Sequence, residues 1–138
     1  MKPPTTFRGQ LITFIGIAIV GWVAYLLIFQ QFFPNTYNPN DSRSILWVWL
    51  TVGTFLTCLT VIAAFRLCAT PPPWQSSMAI AGIAPALILD SFATTFFSEW
   101  FDSAGPHQAT AYSATVLAGA GSAFLLALIL QWRATKRR

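Results

Sequence analysis

Residues 11–29 read LITFIGIAIVGWVAYLLIF, without a charged side chain. An apolar stretch of about 18 residues or more is long enough to cross the hydrocarbon core of a bilayer as a helix. Further stretches of this kind follow, and the spans are predicted at about 8–33, 45–67, 76–101 and 108–132. Barrel strands would alternate apolar and polar residues, and none of these stretches alternates. The sequence therefore predicts an all-α integral membrane protein, a single four-helix domain over residues 1–138.

Composition supports the membrane prediction. Hydrophobic residues make up 55% of the chain and charged residues only 9%, whereas soluble globular domains carry about 25% charged residues. Four spans of about 20 residues or more use most of the 138 residues. No separate extramembrane domain fits, so we expect any function to lie in the bundle, in its loops or in an assembly with other chains.

The connections are marked by turn-forming residues. Pro34–Ser44 is expected to form the first loop, because it holds two prolines and three asparagines. Thr70–Gln75 contains three consecutive prolines, which end a helix and form a stiff connector. Asp102–Pro106 is expected to separate the last two spans. Short connections of this kind predict an up-down bundle.

Basic residues fall almost entirely on one side of such a bundle. With both termini inside, the cytoplasmic flanks hold all of the lysines and arginines except Arg43: Lys2, Arg8, Arg66, Arg133, Lys136, Arg137 and Arg138. Cytoplasmic loops carry an excess of Lys and Arg. The bias predicts a multi-pass protein of the cell (inner) membrane of a bacterium, with cytoplasmic N- and C-termini.

The net charge of +4 follows from this orientation. Lys136, Arg137 and Arg138 are predicted to contact lipid headgroups, at about 1 kcal/mol for each basic residue near an anionic surface. A nucleic-acid site would need a patterned basic face in water, which the sequence lacks. The expected partners are therefore membrane lipids, with a homo-oligomer or a larger membrane complex as a further expectation and no nucleic acid.

The fourth span carries small residues at intervals of four. We call this set the α4 ridge: Ala111, Thr115, Gly119, Ala123 and Ala127. Small residues let helices approach closely in lipid, where association depends on van der Waals packing and hydrogen bonds. Two interpretations stay open at this point. The ridge packs within the bundle, or it faces a second subunit.

Asp90 is the one ionisable residue deep within an apolar span. A charged carboxylate near the bilayer centre costs about 2.5 kcal/mol or more on insertion scales, so the side chain is expected to face the bundle interior. Thr54, Thr57 and Tyr25 are predicted at similar depth and form with Asp90 a candidate buried polar, proton or ion site, with Thr115 as a further partner. The alternative is a protonated carboxyl that only makes a packing hydrogen bond.

Catalytic and metal chemistry find little support. No nucleophile–base pair, metal-ligand set or cluster of acids is apparent, and Glu99, Asp102 and His107 fit no established ligand spacing. Cys58 and Cys68 on one helix would stand roughly 15 Å apart, too far for a disulfide. We expect no enzyme activity, no cofactor and no metal.

The segment APALILDSFATTFFSEWF at 84–101 resembles the third helix of an uncharacterised family of small bacterial four-helix membrane proteins. The residues that carry the resemblance are Pro85, Leu89, Asp90, Phe96 and Phe97. The resemblance implies the same four-span layout and brings no activity with it. It also implies a recurring helical context for Asp90, which favours an architectural or binding role.

Two functions are predicted from these features. The first is a structural or accessory subunit, or a self-associating bundle, without enzymatic activity. The alternative is a small transporter or proton-coupled carrier that uses Asp90.

Overall fold

The computed structural model describes residues 6–36, 42–96 and 107–136. These residues form four long helices and no strand: α1 (Phe7–Thr36), α2 (Ser42–Leu67), α3 (Gln75–Phe96) and α4 (His107–Lys136). Each helix is long and apolar enough to cross a membrane. The all-α, four-helix prediction is confirmed, and the protein is a multi-pass membrane protein.

The helices extend beyond several predicted borders. Helix α1 continues through Pro34 to Thr36, helix α2 begins at Ser42 rather than at Ile45, and helix α4 ends at Lys136 rather than at Trp132. A proline near a helix end removes only one backbone hydrogen bond, which explains why α1 can pass Pro34. The last part of the predicted third span, residues 97–101, lies outside the described residues.

The order of the helices in space differs from their order in the chain. Helix α4 packs against α2 and α3, and α3 also packs against α1, whereas α1 touches α2 and α4 at few positions. Around the bundle the order is therefore α1, α3, α4, α2. The consecutive helices α1 and α2 leave a gap between them.

Two clusters of buried side chains fill the two halves of the bundle. We call one half the basic half, because the described basic side chains lie at its end: Arg8, Arg66, Arg133 and Lys136. The core of this half consists of Phe14, Ala64, Phe65, Cys68, Met78, Ala79 and Ala127. The Asp90 half has the core Leu26, Phe29, Phe33, Ala93, Ala111 and Tyr112. The core of the basic half takes residues from all four helices, and the core of the Asp90 half takes residues from α1, α3 and α4 and packs against α2.

Apolar side chains also cover the outside of the bundle. Val20, Trp47 and Leu67 are 70%, 69% and 77% exposed. A soluble monomer rarely exposes apolar area on this scale, whereas acyl chains would solvate it. The outer surface is that of a bundle immersed in lipid.

The connection between α2 and α3 is tightly built. The N–H of Thr70 donates to Phe65 O (2.9 Å) and the N–H of Ala69 to Arg66 O (3.2 Å), which is the bonding pattern of a Schellman cap. Ala69 stands at φ 48, where glycine is usual. Pro72–Trp74 then forms one turn of 3-10 helix that leads into α3.

Side-chain hydrogen bonds hold helix ends together in the basic half. Gln10 on α1 donates from Nε2 to Cys68 O at 2.9 Å, and Gln131 on α4 accepts the N–H of Ser76 at 3.1 Å. Both bonds satisfy backbone groups that a helix end leaves without an intrahelical partner. They tie α1 and α4 to the α2–α3 connection.

Candidate functional site

Asp90 is buried, with 6% of its surface exposed, although it lies within a membrane-spanning helix. It is on α3, in the half of the bundle away from the basic end. Pro85 precedes it in the same helix and leaves the carbonyl of Ala81 without its helical donor. The backbone carbonyl of Asp90 in turn accepts the hydroxyl of Thr94 at 2.8 Å.

The carboxylate of Asp90 points toward α4. Ser113 lies within hydrogen-bonding reach of it, while Oδ1 has no hydrogen-bond partner among the described residues. The described basic side chains all lie at the other end of the bundle. None of the side chains of Arg8, Arg66, Arg133 and Lys136 is therefore a cationic partner of the acid.

A group of aromatic side chains lies near the acid. The rings of Tyr25 and Tyr112 stack with centroids 5.8 Å apart, and both phenols lie within Coulombic range of Asp90. Phe29 meets Tyr112 edge-on at 5.2 Å. The indole nitrogen of Trp22 lies beside the Tyr112 hydroxyl without the alignment of a full hydrogen bond. Offset and edge-on ring pairs of this kind are favourable and fix the walls of the site.

Gly53 allows Tyr25 to reach across from α1 to α2. A Cβ at position 53 would lie 3.1 Å from the Tyr25 hydroxyl and would overlap the methyl group of Thr115. The Tyr25 hydroxyl is buried and close to Thr115, but no well-aligned hydrogen bond joins them. The missing side chain at Gly53 is what brings α1, α2 and α4 together at this point.

A central cavity of about 330 Å³ lies between the two core clusters. All four helices line it, mostly with apolar side chains, and its polar lining consists of Trp22, Tyr25, Thr57, Thr60 and Thr115. Cavities that bind small molecules typically begin at about 300 Å³. The size and the lining therefore suit a small, mainly apolar molecule.

The cavity is reached between α1 and α2, the two consecutive helices that touch at few positions. Gly21 lines it from α1, and a Cβ there would meet nothing within 4 Å. On α3, Ala86 and Leu87 line the cavity, and Asp90 follows Ala86 by one helical turn, about 6 Å along the axis. Tyr25 and Trp22 thus line the end of the cavity nearer to Asp90, which is not itself a lining residue.

The structure brings together only part of the set predicted around Asp90. Tyr25 lies within Coulombic range of the acid, but the hydroxyls of Thr57 and Thr115 donate to Gly53 O at 2.8 Å and to Ala111 O at 2.7 Å. The hydroxyl of Thr54 is buried and has no partner in the described residues. Tyr112 and Ser113 were not predicted, because neither belongs to a pattern of small or polar residues along α4.

All five residues of the α4 ridge are buried within the chain. Thr115 packs toward Gly53, and a Cβ at Gly119 would lie 2.7 Å from Thr57 Oγ1. The ridge therefore joins α4 to α2 by close contact of small residues. It presents no free surface to a second subunit.

The predicted headgroup residues lie at the basic end. The ammonium group of Lys136 stands 3.9 Å from the centroid of the exposed Trp132 ring, a cation–π contact, while Arg137 and Arg138 lie outside the described residues. The described residues contain no group of His, Cys, Asp or Glu that could hold a metal ion, and Glu99 and Asp102 fall outside them.

Comparisons with protein families, with curated proteins and with solved structures return no match for this chain.

Proposed function

We propose that this protein is a non-enzymatic membrane carrier that binds a small apolar molecule in the central cavity. The cavity of about 330 Å³, lined by all four helices, carries the proposal. Sites for small molecules are concave and lined mainly by apolar side chains with a few polar groups, and this cavity has such a lining.

The structural or accessory-subunit role predicted from the sequence has less support. That role requires a packing surface for another chain, whereas the α4 ridge is buried in contact with α2. The proposal further places the protein in the cell (inner) membrane with both termini in the cytoplasm. Arg8, Arg66, Arg133 and Lys136 at a single end of the bundle support this orientation.

Binding is tested by carbene labelling of the full-length protein in nanodiscs with 3-trifluoromethyl-3-phenyldiazirine, a small apolar photoreagent. Met78 and Ala79 line the cavity and are 0% and 1% exposed, whereas Ile80 is 51% exposed. We expect all three positions to be labelled. Labelling of Ile80 without Met78 and Ala79 would show that no apolar molecule enters the bundle.

Two glycines of α1 provide a matched pair of variants. Neither Gly21 nor Gly16 has an atom within 4 Å of a built Cβ, but only Gly21 lines the cavity. Gly21→Leu should fill the cavity mouth and protect Met78 and Ala79 from the reagent, and Gly16→Leu should leave their labelling unchanged. Equal labelling in both variants would contradict the proposal.

Orientation is tested separately by cysteine labelling of intact cells. In a variant without Cys58 and Cys68, a membrane-impermeant maleimide should modify Asn40→Cys from outside. Lys136→Cys should react with the maleimide only after the membrane is permeabilised. Reaction of both positions in the same compartment would refute the four-span threading.

A further inference from the structure

The polar side chains that line the central cavity fall into two groups. In the first group the hydroxyls of Thr57, Thr60 and Thr115 each donate to the backbone carbonyl four residues earlier, at 2.8, 2.8 and 2.7 Å. A hydroxyl carries a single proton, so none of the three has a proton left for a ligand. These threonines can therefore only accept a further hydrogen bond.

Tyr25 and Trp22 form the second group. The Tyr25 hydroxyl and the Trp22 indole nitrogen are buried, and neither has a hydrogen-bond partner among the described residues. The indole N–H can only donate, and the phenol can donate as well. The two residues are three positions apart on α1, which places them on one face of that helix, and both line the cavity. This wall of the cavity thus offers two donors that lack an acceptor.

Charge and access restrict the ligand further. Among the described residues that line the cavity, none is charged, and an ion without a partner is costly to bury. Ile28 on α1 and Leu56 on α2 line the cavity and are also 46% and 43% exposed, so the gap between these helices opens toward the lipid. A ligand that enters there comes from the hydrocarbon of the bilayer and is neutral.

We propose that the ligand is a neutral lipophilic carbonyl compound, with its oxygen accepting hydrogen bonds from Tyr25 and Trp22 and its apolar part in the rest of the cavity. A carbonyl oxygen has two lone pairs and no proton, which matches a wall of donors. The inference rests on the proposed function, because it needs the cavity to be a binding site, and it adds the chemical class of the ligand.

A pair of probes with nearly the same shape isolates the contribution of the oxygen. Adamantanone and methyleneadamantane are rigid cages that differ by a carbonyl oxygen in place of a methylene group. Each is added to full-length protein in nanodiscs before carbene labelling, and the concentration that halves the labelling of Met78 and Ala79 is measured. The ratio of the two concentrations, compared between variants, removes the partition of the probes into the bilayer.

Loss of a donor should weaken only the ketone. Tyr25→Phe keeps the ring and should raise the half-protecting concentration of adamantanone about threefold or more, as expected for one net hydrogen bond, and that of methyleneadamantane less than twofold. Trp22→Phe should change the ratio in the same direction. Thr60→Val is the matched control, because it removes a lining hydroxyl whose proton is already donated to Leu56 O. It should leave the ratio unchanged.

The outcomes separate the two proposals. An unchanged thermal unfolding midpoint shows that each variant is folded. If Tyr25→Phe and Trp22→Phe both leave the ratio as in the wild type while Gly21→Leu still protects Met78 and Ala79, the ligand class is wrong and the carrier proposal stands. If Thr60→Val changes the ratio as much as Tyr25→Phe does, the free donors are not what recognises the oxygen, and the inference is overturned. If Met78 and Ala79 are not labelled in the wild type, both proposals fail.

Discussion

In the basic half of the bundle polar side chains fasten helix ends, whereas in the Asp90 half they surround a buried acid. Gln10 and Gln131 each pair with a backbone group of the α2–α3 connection. In the other half Asp90 Oδ1 and the hydroxyl of Tyr25 have no well-formed partner within the described residues. Buried polar groups usually find partners, and of these two groups the Tyr25 hydroxyl belongs to a residue that lines the central cavity.

The two halves also differ in how their cores are packed. Phe29 in the Asp90 half contacts the rings of Phe33, Trp49 and Tyr112 at centroid distances of 4.6, 5.2 and 5.2 Å. Phe14 in the basic half meets Phe65 at 5.6 Å and borders the central cavity. The rings around Phe29 are therefore packed on several sides, while the core of the basic half borders the central cavity.

Truncation of these two phenylalanines should give the largest effects. Phe29→Ala removes a ring that is 0% exposed and packed on several sides, and should cost about 3 kcal/mol or more. Phe14→Ala should cost clearly less, because one side of its ring already faces the cavity. Reversible unfolding in mixed detergent micelles measures both. A larger loss for Phe14→Ala would mean that the Asp90 half is not the better packed one.

Enlargement of a ridge glycine should have the next largest effect. A Cβ at Gly119 would lie 2.7 Å from Thr57 Oγ1, whose hydroxyl is held by Gly53 O. Gly119→Val should therefore destabilise the bundle by about 1–3 kcal/mol, the usual range for overpacking.

Gly121 on the same helix provides the control for this prediction. It has no atom within 4 Å of a built Cβ, so Gly121→Val should leave the unfolding free energy nearly unchanged. The two variants also test assembly. If the α4 ridge packs within the chain, neither substitution should change the oligomeric mass. Dissociation of an oligomer by Gly119→Val without unfolding would show that the ridge joins subunits.

The smallest expected effect is a gain of stability at the connection in the basic half. Ala69 adopts φ 48, a conformation that glycine takes without steric cost. Ala69→Gly should stabilise the protein by about 0.5 kcal/mol, because the steric strain that it relieves exceeds the entropy cost of a glycine. Ala84→Gly, within α3, should lose about as much. Thermal midpoints that shift in the same direction would contradict the cap assignment.

The sequence was sufficient to predict the number and the approximate limits of the helices, because hydrocarbon thickness sets the length of each apolar block. It did not predict their order in space, since the blocks at 11–29 and 45–67 carry no charge pattern that identifies a neighbour. The cavity was also not predicted. Small residues such as Gly21 and Gly119 look alike in the sequence, although one borders empty space and the other a tight contact.

The set of partners around Asp90 was only partly predictable for a related reason. A threonine within a helix can donate to the carbonyl four residues before it, as Thr57 does to Gly53 O and Thr115 to Ala111 O. Depth alone suggested these hydroxyls as partners of the acid. The approach of Ser113 to the acid depends on the rotation of α4, which the sequence does not specify.

The spatial order α1, α3, α4, α2 has a consequence for biogenesis. The first two helices to enter the bilayer touch each other at few positions. Helix association in membranes follows insertion and depends on direct contact. A nascent chain that has inserted only α1 and α2 thus lacks most of the helix contacts of the bundle, which form once α3 and α4 have also been inserted.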